Sequence, residues 1–171
     1  MSRLATLSPA ALRAMFSQDG DDDLVALLTF SGTGITTPIR IADNYTGRLS
    51  STDTDVVYGL TSRGNDYLFI PFTLTLPTEE VQTVPRCEIK ISDVTQILLP
   101  SLREISTAPT VLIELVLKST PDTVEASFPG FKMSAISYTA DTITGTLTVP
   151  QLATEPFPAH TFTPSYFPGL F

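Results

Sequence analysis

Several stretches of this chain alternate apolar and polar side chains with a period of two, and this alternation limits the possible folds most. In the segment RCEIKIS, Cys87, Ile89 and Ile91 alternate with charged or hydroxyl-bearing side chains. The segments at 72–76, 111–118 and 142–149 alternate in the same way. Such runs are typical of antiparallel sheets with one buried face, because successive side chains of a strand point to opposite sides. The sequence therefore predicts a mainly β fold with about seven to nine strands.

The same pattern assigns particular side chains to the two faces of the predicted strands. In TVLIELVLKS, every second residue from Val111 to Leu117 is apolar, which places Glu114 and Lys118 on the opposite face. The apolar segments LVALLTF (24–30) and PIRIA (38–42) predict two earlier strands. Between two later runs, a hairpin turn is expected around Ala140 and Asp141.

Two segments carry helix signals instead. In LSPAALRAMFSQDG, Ser8 is a predicted N-cap, Pro9 suits the first helical position and Gly20 ends the helix. Between residues 92 and 106, apolar side chains recur at helical spacing, and Pro100 splits or kinks the predicted helix. We therefore divide the chain into a helix and acidic loop (1–23), a β-rich domain with a crossing helix near 93–105 (24–154), and a C-terminal arm (155–171).

The arm, EPFPAHTFTPSYFPGLF, is rich in proline and aromatic residues, and its only acidic residue is Glu155. Closely spaced prolines favour extended backbone, and aromatic side chains supply large contact areas. We expect the arm to lie in a groove, either on its own sheet or on a neighbouring subunit. The predicted partner-binding residues are Phe157, Phe162, Tyr166, Phe167, Leu170 and Phe171.

Hydrophobic content, net charge and the length of apolar runs argue against several classes of protein. Hydrophobic residues make up 42% of the 171 residues, which indicates a globular chain. The formal net charge of −8 argues against a nucleic-acid clamp, which needs a basic surface. No apolar run is long enough for a membrane span, and the N-terminus lacks the apolar core of a signal peptide, so we expect folding in a cytoplasm.

Candidate catalytic and metal-binding residues are few. His160 is the only histidine and has no nucleophile motif beside it, and Cys87 alternates with buried isoleucines, which predicts a structural cysteine. Asp19, Asp21 and Asp23 resemble part of a calcium loop but lack its closing glutamate. We expect a protein that is not an enzyme, with no cofactor and no metal site.

Several stretches together resemble a phage tail protein family whose domain has no assigned function. They are LVALLTF, PIRIADN, YLFIPFTLTLP, CEIKISDVTQILLPSLRE and the ending FPGLF, which extend over roughly 24–171. The chain is also distantly similar to the N-terminal part of the lambda minor tail protein L, a tail-tip component. That protein carries a cysteine-rich region that suggests a metal cluster. Because this chain has only Cys87, we expect no such cluster here.

The resemblance implies a structural protein of the tail tip or baseplate. It implies antiparallel β-sandwich or barrel modules of the tail-tube type, one or two short helices and the extended arm. The expected partners are copies of the same chain in a threefold or sixfold ring, the tail tube or distal tail protein, and a hub or central fibre protein. Genome DNA would pass through the lumen without specific binding, and an acidic surface suits that passage. The implied location is the virion, after assembly in the host cytoplasm.

Other classes of protein remain open from the residues alone. A non-catalytic module that binds carbohydrate or a host surface would use exposed aromatic residues, but tryptophan, the favoured platform, is absent from the sequence. A pilin-like subunit would be expected to be secreted and often to contain a disulfide. A small enzyme on a β-scaffold would need a recognisable site.

Overall fold

The computed structural model describes residues 7–17, 22–35, 37–51, 56–75, 86–92, 107–139 and 141–149, together with Gly169. Within these ranges the protein has one helix and ten strands, which confirms the predicted mainly β fold with a short helix. The elements are α1 (Pro9–Phe16), β1 (Leu24–Ser31), β2 (Ile39–Ala42), β3 (Gly47–Ser51), β4 (Val56–Ser62), β5 (Asn65–Phe69), β6 (Phe72–Leu74), β7 (Arg86–Ser92), β8 (Thr110–Leu117), β9 (Val124–Tyr138) and β10 (Thr142–Thr148).

All ten strands belong to one mixed, open sheet with the order β3-β4-β5-β2-β1-β8-β9-β10-β7-β6. Every neighbouring pair is antiparallel except β2 and β5, which run parallel over Ile41–Leu68 and Ala42–Phe69. The longest ladder joins β1 to β8, from Leu24 opposite Leu117 to Ser31 opposite Thr110. Strands β1 and β8 therefore form the centre of the sheet.

The open sheet is rolled up by the short connection between β5 and β6. These strands occupy the third and tenth positions in the sheet order, yet only Ile70 and Pro71 separate them in sequence. In a flat sheet they would lie about 34 Å apart, because neighbouring strands are about 4.8 Å apart. A link of two residues spans only about 10 Å. The sheet must therefore curl until its β6 edge returns to the side of β5.

Hydrogen bonds at the β5–β6 junction show where the chain changes partner. The Ile70 N–H donates to the Ala42 carbonyl (3.1 Å), which continues the pairing with β2. The next carbonyl, of Pro71, accepts from the Ser92 N–H (2.8 Å) at the end of β7. Proline has no N–H to leave unpaired, so it suits a position at which one ladder stops and another begins.

The rolled sheet encloses a continuous inner core. In β7, Cys87, Ile89 and Ile91 are buried while Glu88 and Lys90 are exposed, as the alternation predicts. Inner-core residues come from β1, β2, β7, β8, β9, β10 and the β5–β6 junction: Leu28, Phe30, Ile41, Ile70, Cys87, Ile89, Ile91, Val111, Ile113, Phe128, Phe131, Met133, Ile143 and Leu147. Burial of this apolar set is the main source of stability expected for a fold of this kind.

The prediction of a single buried face is wrong for the centre of the sheet. On the outer side of β1, β2 and β8, away from the inner core, a second cluster is buried: Val25, Leu27, Ala42, Leu60, Tyr67 and Val116. Leu60 and Tyr67 belong to the β4–β5 hairpin, which folds over this outer side. Ser62 Oγ donates to the Pro121 carbonyl (2.6 Å) in the β8–β9 turn, so the tip of the hairpin is attached there. Glu114, assigned to the opposite face of β8, is consequently only 5% exposed.

The N-terminal helix begins as predicted. Ser8 is the N-cap, Pro9 occupies the first turn, and the Ala11 N–H donates to Ser8 Oγ (3.1 Å). The helix ends at Phe16 rather than at Gly20, because the C-cap residue Ser17 itself has an extended backbone, with φ −76° and ψ 137°. Phe16 is 80% exposed.

The predicted hairpin turn between β9 and β10 is also present. The Thr139 N–H donates to the Thr142 carbonyl (2.8 Å), which confirms the β9–β10 hairpin. A turn also follows β1, in which the Ile35 N–H donates to the Gly32 carbonyl and Gly34 has a φ of 100°. The predicted crossing helix near 93–105 lies outside the described residues, and so does the predicted arm (155–171) apart from Gly169. No helix in the described ranges has the length and apolar character to cross a membrane.

Candidate functional site

The β4–β5 hairpin and the outer side of β1, β2 and β8 enclose a shallow polar cleft of about 240 Å³. Strands β1, β2, β5 and β8 each contribute at least one side chain to it, and the hairpin supplies Arg63 from its tip. The polar lining residues are Thr29, Arg40, Arg63, Asn65, Tyr67 and Glu114. This cleft is the candidate site, because it combines charged groups with hydroxyl and amide groups around one concave surface.

A bidentate ion pair between Arg63 and Glu114 forms one wall of the cleft. Arg63 Nη1 donates to Glu114 Oε1 (3.0 Å) and Nη2 donates to Oε2 (2.6 Å). The Glu114 side chain is 7% exposed and that of Arg63 is 39% exposed. The hydrogen bond to Glu114 raises the pKa of Arg63 above its ordinary value. A buried carboxylate needs such a partner, since an unpaired charge at this depth would be strongly destabilising.

The backbone of Arg63 is held in an unfavourable conformation. Arg63 and Gly64 form the two-residue turn between β4 and β5, with φ values of 52° and 73°. Positive φ at both positions is a feature of type I′ turns, whose first position favours asparagine, aspartate or glycine. Arginine is unusual there, and tertiary contacts compensate: its N–H donates to the Asp122 carboxylate and its side chain binds Glu114.

Tyr67 forms the floor of the cleft. Its ring is buried in the outer cluster, and its hydroxyl lies 3.4 Å from Thr29 Oγ1 on β1. Beside it, Asn65 Nδ2 donates to the Arg63 carbonyl (3.3 Å), which orients the amide across the turn. The floor therefore presents polar groups on rigid strands rather than on loops.

Arg40 lies on the opposite wall of the cleft, and its guanidinium group differs from that of Arg63 in its contacts. It is half-buried on β2, directly across the ladder from Thr29. Among the described residues, the Arg40 guanidinium has no hydrogen-bond or ion-pair partner. With Arg40 and Arg63 positive and Glu114 negative, the cleft carries a net charge of about +1 in a chain whose formal charge is −8.

A separate aromatic patch is formed by the loop before β3 together with β4 and β5. The Tyr45 ring packs against the rings of Tyr58 and Phe69, with centroids 5.2 and 5.0 Å apart. Tyr45 is 43% exposed and Tyr58 is 44% exposed, and the nearby Val56 is also exposed. Exposed tyrosines grouped in this way are typical of protein interfaces.

Most residues predicted to be functional from the sequence lie outside the described part of the chain. These are Phe157, Phe162, Tyr166, Phe167, Leu170 and Phe171 of the arm, together with His160, Asp19 and Asp21. In the acidic loop, the Asp23 carbonyl accepts from the Lys118 N–H (2.9 Å), and Asp22 accepts from the Ser119 N–H (2.9 Å). These contacts attach the end of the loop to the β8–β9 turn.

The described residues contain no cluster of three or more histidine, cysteine, aspartate or glutamate side chains that could hold a metal ion. Cys87 is fully buried, as predicted, and burial raises the pKa of its thiol to about 11. A thiol with so high a pKa is almost entirely protonated at neutral pH, so Cys87 has the properties of a core residue.

Two local signals in the sequence pointed to the cleft and were missed. Ser-Arg-Gly-Asn at 62–65 resembles a hairpin turn because a glycine follows a polar residue between two apolar runs. Glu114 is the only charged residue within the eight-residue strand β8, which indicates either an exposed position or a buried pair. The sequence does not say which, because the partner is 51 residues away.

Comparison with known proteins gives no family assignment. A scan against protein-family models found no match, and a search of curated proteins found no significant match. The function of the chain must therefore be argued from its own residues.

Proposed function

We propose that this protein is a structural component of the tail tip or baseplate of a long-tailed bacteriophage. It forms or completes a ring between the tail tube and the central hub or fibre. Its partners are copies of itself and other tail proteins, and the genome passes through the ring without specific binding. The protein is assembled in the host cytoplasm and resides in the virion.

The observation that carries this proposal is the set of stretches that resemble the phage tail family. LVALLTF forms most of β1, PIRIADN contains β2, YLFIPFTLTLP contains the β5–β6 junction, and CEIKIS lies in β7. All four stretches contribute residues to the inner core. The resemblance thus lies in core-forming strands rather than in surface turns. Core-forming strands are the place where a shared fold would preserve a sequence pattern.

Two surface properties support the proposal. The exposed patch of Tyr45, Tyr58 and Val56 offers apolar and aromatic area of the kind that subunit interfaces bury. The acidic net charge of −8 disfavours binding to the phosphate backbone, which suits a wall past which DNA moves.

The direct test is particle composition. Virions purified from the strain that encodes the chain should contain it by mass spectrometry, and antibody labelling should place it at the distal end of the tail. Tail tube, tape-measure and host-recognition genes should lie beside its gene. Virions that lack the chain but remain infectious would exclude the proposal.

The proposed role of the arm has its own test. Deletion of residues 159–171 should leave a folded subunit that fails to assemble into tails if the arm binds a neighbour. If the arm packs on its own sheet, the same deletion should sharply lower the melting temperature of the isolated subunit. An unchanged melt together with infectious tails would contradict both alternatives.

A second candidate function, binding of carbohydrate or a host surface, is favoured by the exposed pair Tyr45 and Tyr58. Tyrosine rings can stack on sugars, and the pair is held rigid by its contact with Phe69. Glycan-array binding that disappears in Tyr58→Ala would favour this function over the structural one.

A further inference from the structure

Arg40 is a half-buried cation that has no partner among the described residues, which also give it no structural role of its own. Its neighbour across the β1–β2 ladder is Thr29, a neutral hydroxyl. The other arginine of the cleft, Arg63, has its carboxylate in Glu114. Partly buried guanidinium groups in proteins usually bind carboxylate or phosphate oxygens, so the unpaired state of Arg40 indicates a missing anion.

The surroundings of Arg40 are built to accept such an anion. Arg40 lines the same cleft as the Asn65 amide and the Tyr67 and Thr29 hydroxyls. One of the two hydroxyls donates to the other, which leaves the second hydroxyl and the amide to donate to a ligand oxygen. All these groups are carried by strands, and Tyr67 and Thr29 are positioned by their mutual contact. A ligand would therefore meet donors whose positions are set before binding, which lowers the entropic cost of binding.

The net charge of the cleft favours ligands with a single negative charge. Arg63 is neutralised by Glu114, so a single positive charge, that of Arg40, is available to a ligand. A monoanion balances this charge, whereas a second negative charge on the ligand would have no free cation to balance it in a partly desolvated site. The planar guanidinium fork also matches the two oxygens of a carboxylate. A single carboxylate therefore fits better than a phosphate dianion.

We infer that this cleft binds one carboxylate of an acidic protein segment, an aspartate or glutamate side chain of a partner, with Arg40 as its anchor. An acidic sugar is disfavoured, because sugar recognition usually uses an exposed aromatic face. Tyr67, the aromatic residue that lines the cleft, is only 2% exposed and has no free face for stacking. The inference does not depend on the proposed role in a phage tail.

The inference is tested by titrating the isotope-labelled full chain with small probes and following the Arg40 Nε–H resonance by NMR. The peptide-like probe is N-acetylglutamate amide, which carries one carboxylate, and its neutral match is N-acetylglutamine amide. Sodium glucuronate and sodium phosphate at equal ionic strength represent the acidic sugar and the phosphate. We expect a saturable shift with N-acetylglutamate amide, no shift with the neutral match, and weaker effects of glucuronate and phosphate.

Variants establish which side chain binds, and their binding is followed through the backbone amide resonances of Thr29 and Asn65, because Arg40→Gln and Arg40→Lys lack the Nε–H group. Arg40→Gln should weaken binding of N-acetylglutamate amide by about tenfold or more, and Arg40→Lys should weaken it less, because it keeps the charge and loses the fork. Arg48→Gln, which removes an exposed arginine on β3, is the matched control for net charge and should bind as the wild type does. Dichroism melts of each variant check that it is folded.

Three outcomes would overturn the inference. One is the absence of a saturable shift in the wild-type protein with N-acetylglutamate amide. Another is equal loss of binding in Arg40→Gln and Arg48→Gln, which would reflect net charge alone. The third is tighter binding of glucuronate or phosphate than of N-acetylglutamate amide, which would assign the cleft to a sugar or a phosphate ligand.

Discussion

The guanidinium of Arg63, at the tip of the β4–β5 hairpin, forms two hydrogen bonds to the carboxylate of Glu114 on the central strand β8. The two residues are 51 positions apart in sequence. Their pairing holds the hairpin over the outer side of the sheet, above Val25, Leu27 and Val116. The ion pair thus connects the second buried cluster to the polar cleft, and it explains why an arginine is held at positive φ.

Replacing Arg63 should lower the stability of the protein more than replacing Glu114. Arg63→Met leaves the Glu114 carboxylate buried without a partner, and we expect it to lower the free energy of unfolding by about 3 kcal/mol. Glu114→Gln leaves a half-exposed arginine that water can solvate, and should cost about 1 kcal/mol. Urea unfolding at neutral pH measures both.

Arg48→Met is the control for this comparison, because Arg48 is exposed on β3 and its replacement should change stability little. Equal losses in Arg63→Met and Glu114→Gln would show that desolvation of the carboxylate does not dominate the pair.

The N-cap of α1 depends on a carboxylate from a distant strand. Glu125 on β9 accepts from the Ser8 N–H (2.9 Å) and from Ser8 Oγ (2.8 Å), while Ser8 Oγ accepts from the Ala11 N–H. Ser8→Ala should therefore destabilise the protein by about 1–2 kcal/mol and increase hydrogen exchange at the amides of the first helical turn. Ser17→Ala, at the exposed end of the same helix, should have almost no effect. Equal exchange in the two variants would exclude this N-cap role of Ser8.

Two glycines that face each other in the β3–β4 ladder should respond differently to alanine. A Cβ at Gly59 would collide with the Tyr67 carbonyl and the Leu49 side chain, whereas a Cβ at its partner Gly47 would meet nothing within 4 Å. Gly59→Ala should cost about 2–3 kcal/mol, since the backbone carbonyl cannot move without disturbing the β4–β5 ladder. Gly47→Ala should be neutral or slightly stabilising. Thermal unfolding of the two variants checks this, and similar melts would contradict the close approach of Tyr67.

Asp43 should make the protein less stable as pH rises. Burial raises the pKa of its carboxyl above the ordinary value of 3.8, although the hydrogen bond from the Ala26 N–H (2.9 Å) opposes this shift. A raised pKa means that the folded state binds the proton more tightly than the unfolded state does. The contribution of Asp43 to stability is therefore greatest below pH 3.8 and decreases as pH rises through the folded-state pKa.

Asp43→Asn removes this titration and keeps an oxygen that can accept from the Ala26 N–H. We expect the variant to be more stable than the wild type at pH 7, with a difference that shrinks as pH falls toward 3. Urea unfolding of both proteins across this range is the measurement. A variant that is less stable at pH 7 would show that the charged hydrogen bond outweighs desolvation.

Several local features could be predicted from the sequence because they depend on nearby residues. The buried side of β7, the N-cap Ser8 and the β9–β10 hairpin all follow from periodicity or from side-chain chemistry within a few positions. The sequence did not predict the cleft, because Arg40, Arg63, Tyr67 and Glu114 come from four different elements. Nothing in the sequence near any one of them indicates the other three.

The sequence by itself determined most of the strands and the apolar side of several of them, because alternation is a property of the extended backbone, but it did not predict β3 and β4. Only the tertiary structure decided what covers the second side of β1 and β8. That depends on the two-residue link Ile70–Pro71, which rolls the sheet, and on the β4–β5 hairpin, which folds over it. Burial of Glu114 is thus a long-range outcome, since the same strand would leave this carboxylate in water if the hairpin folded elsewhere.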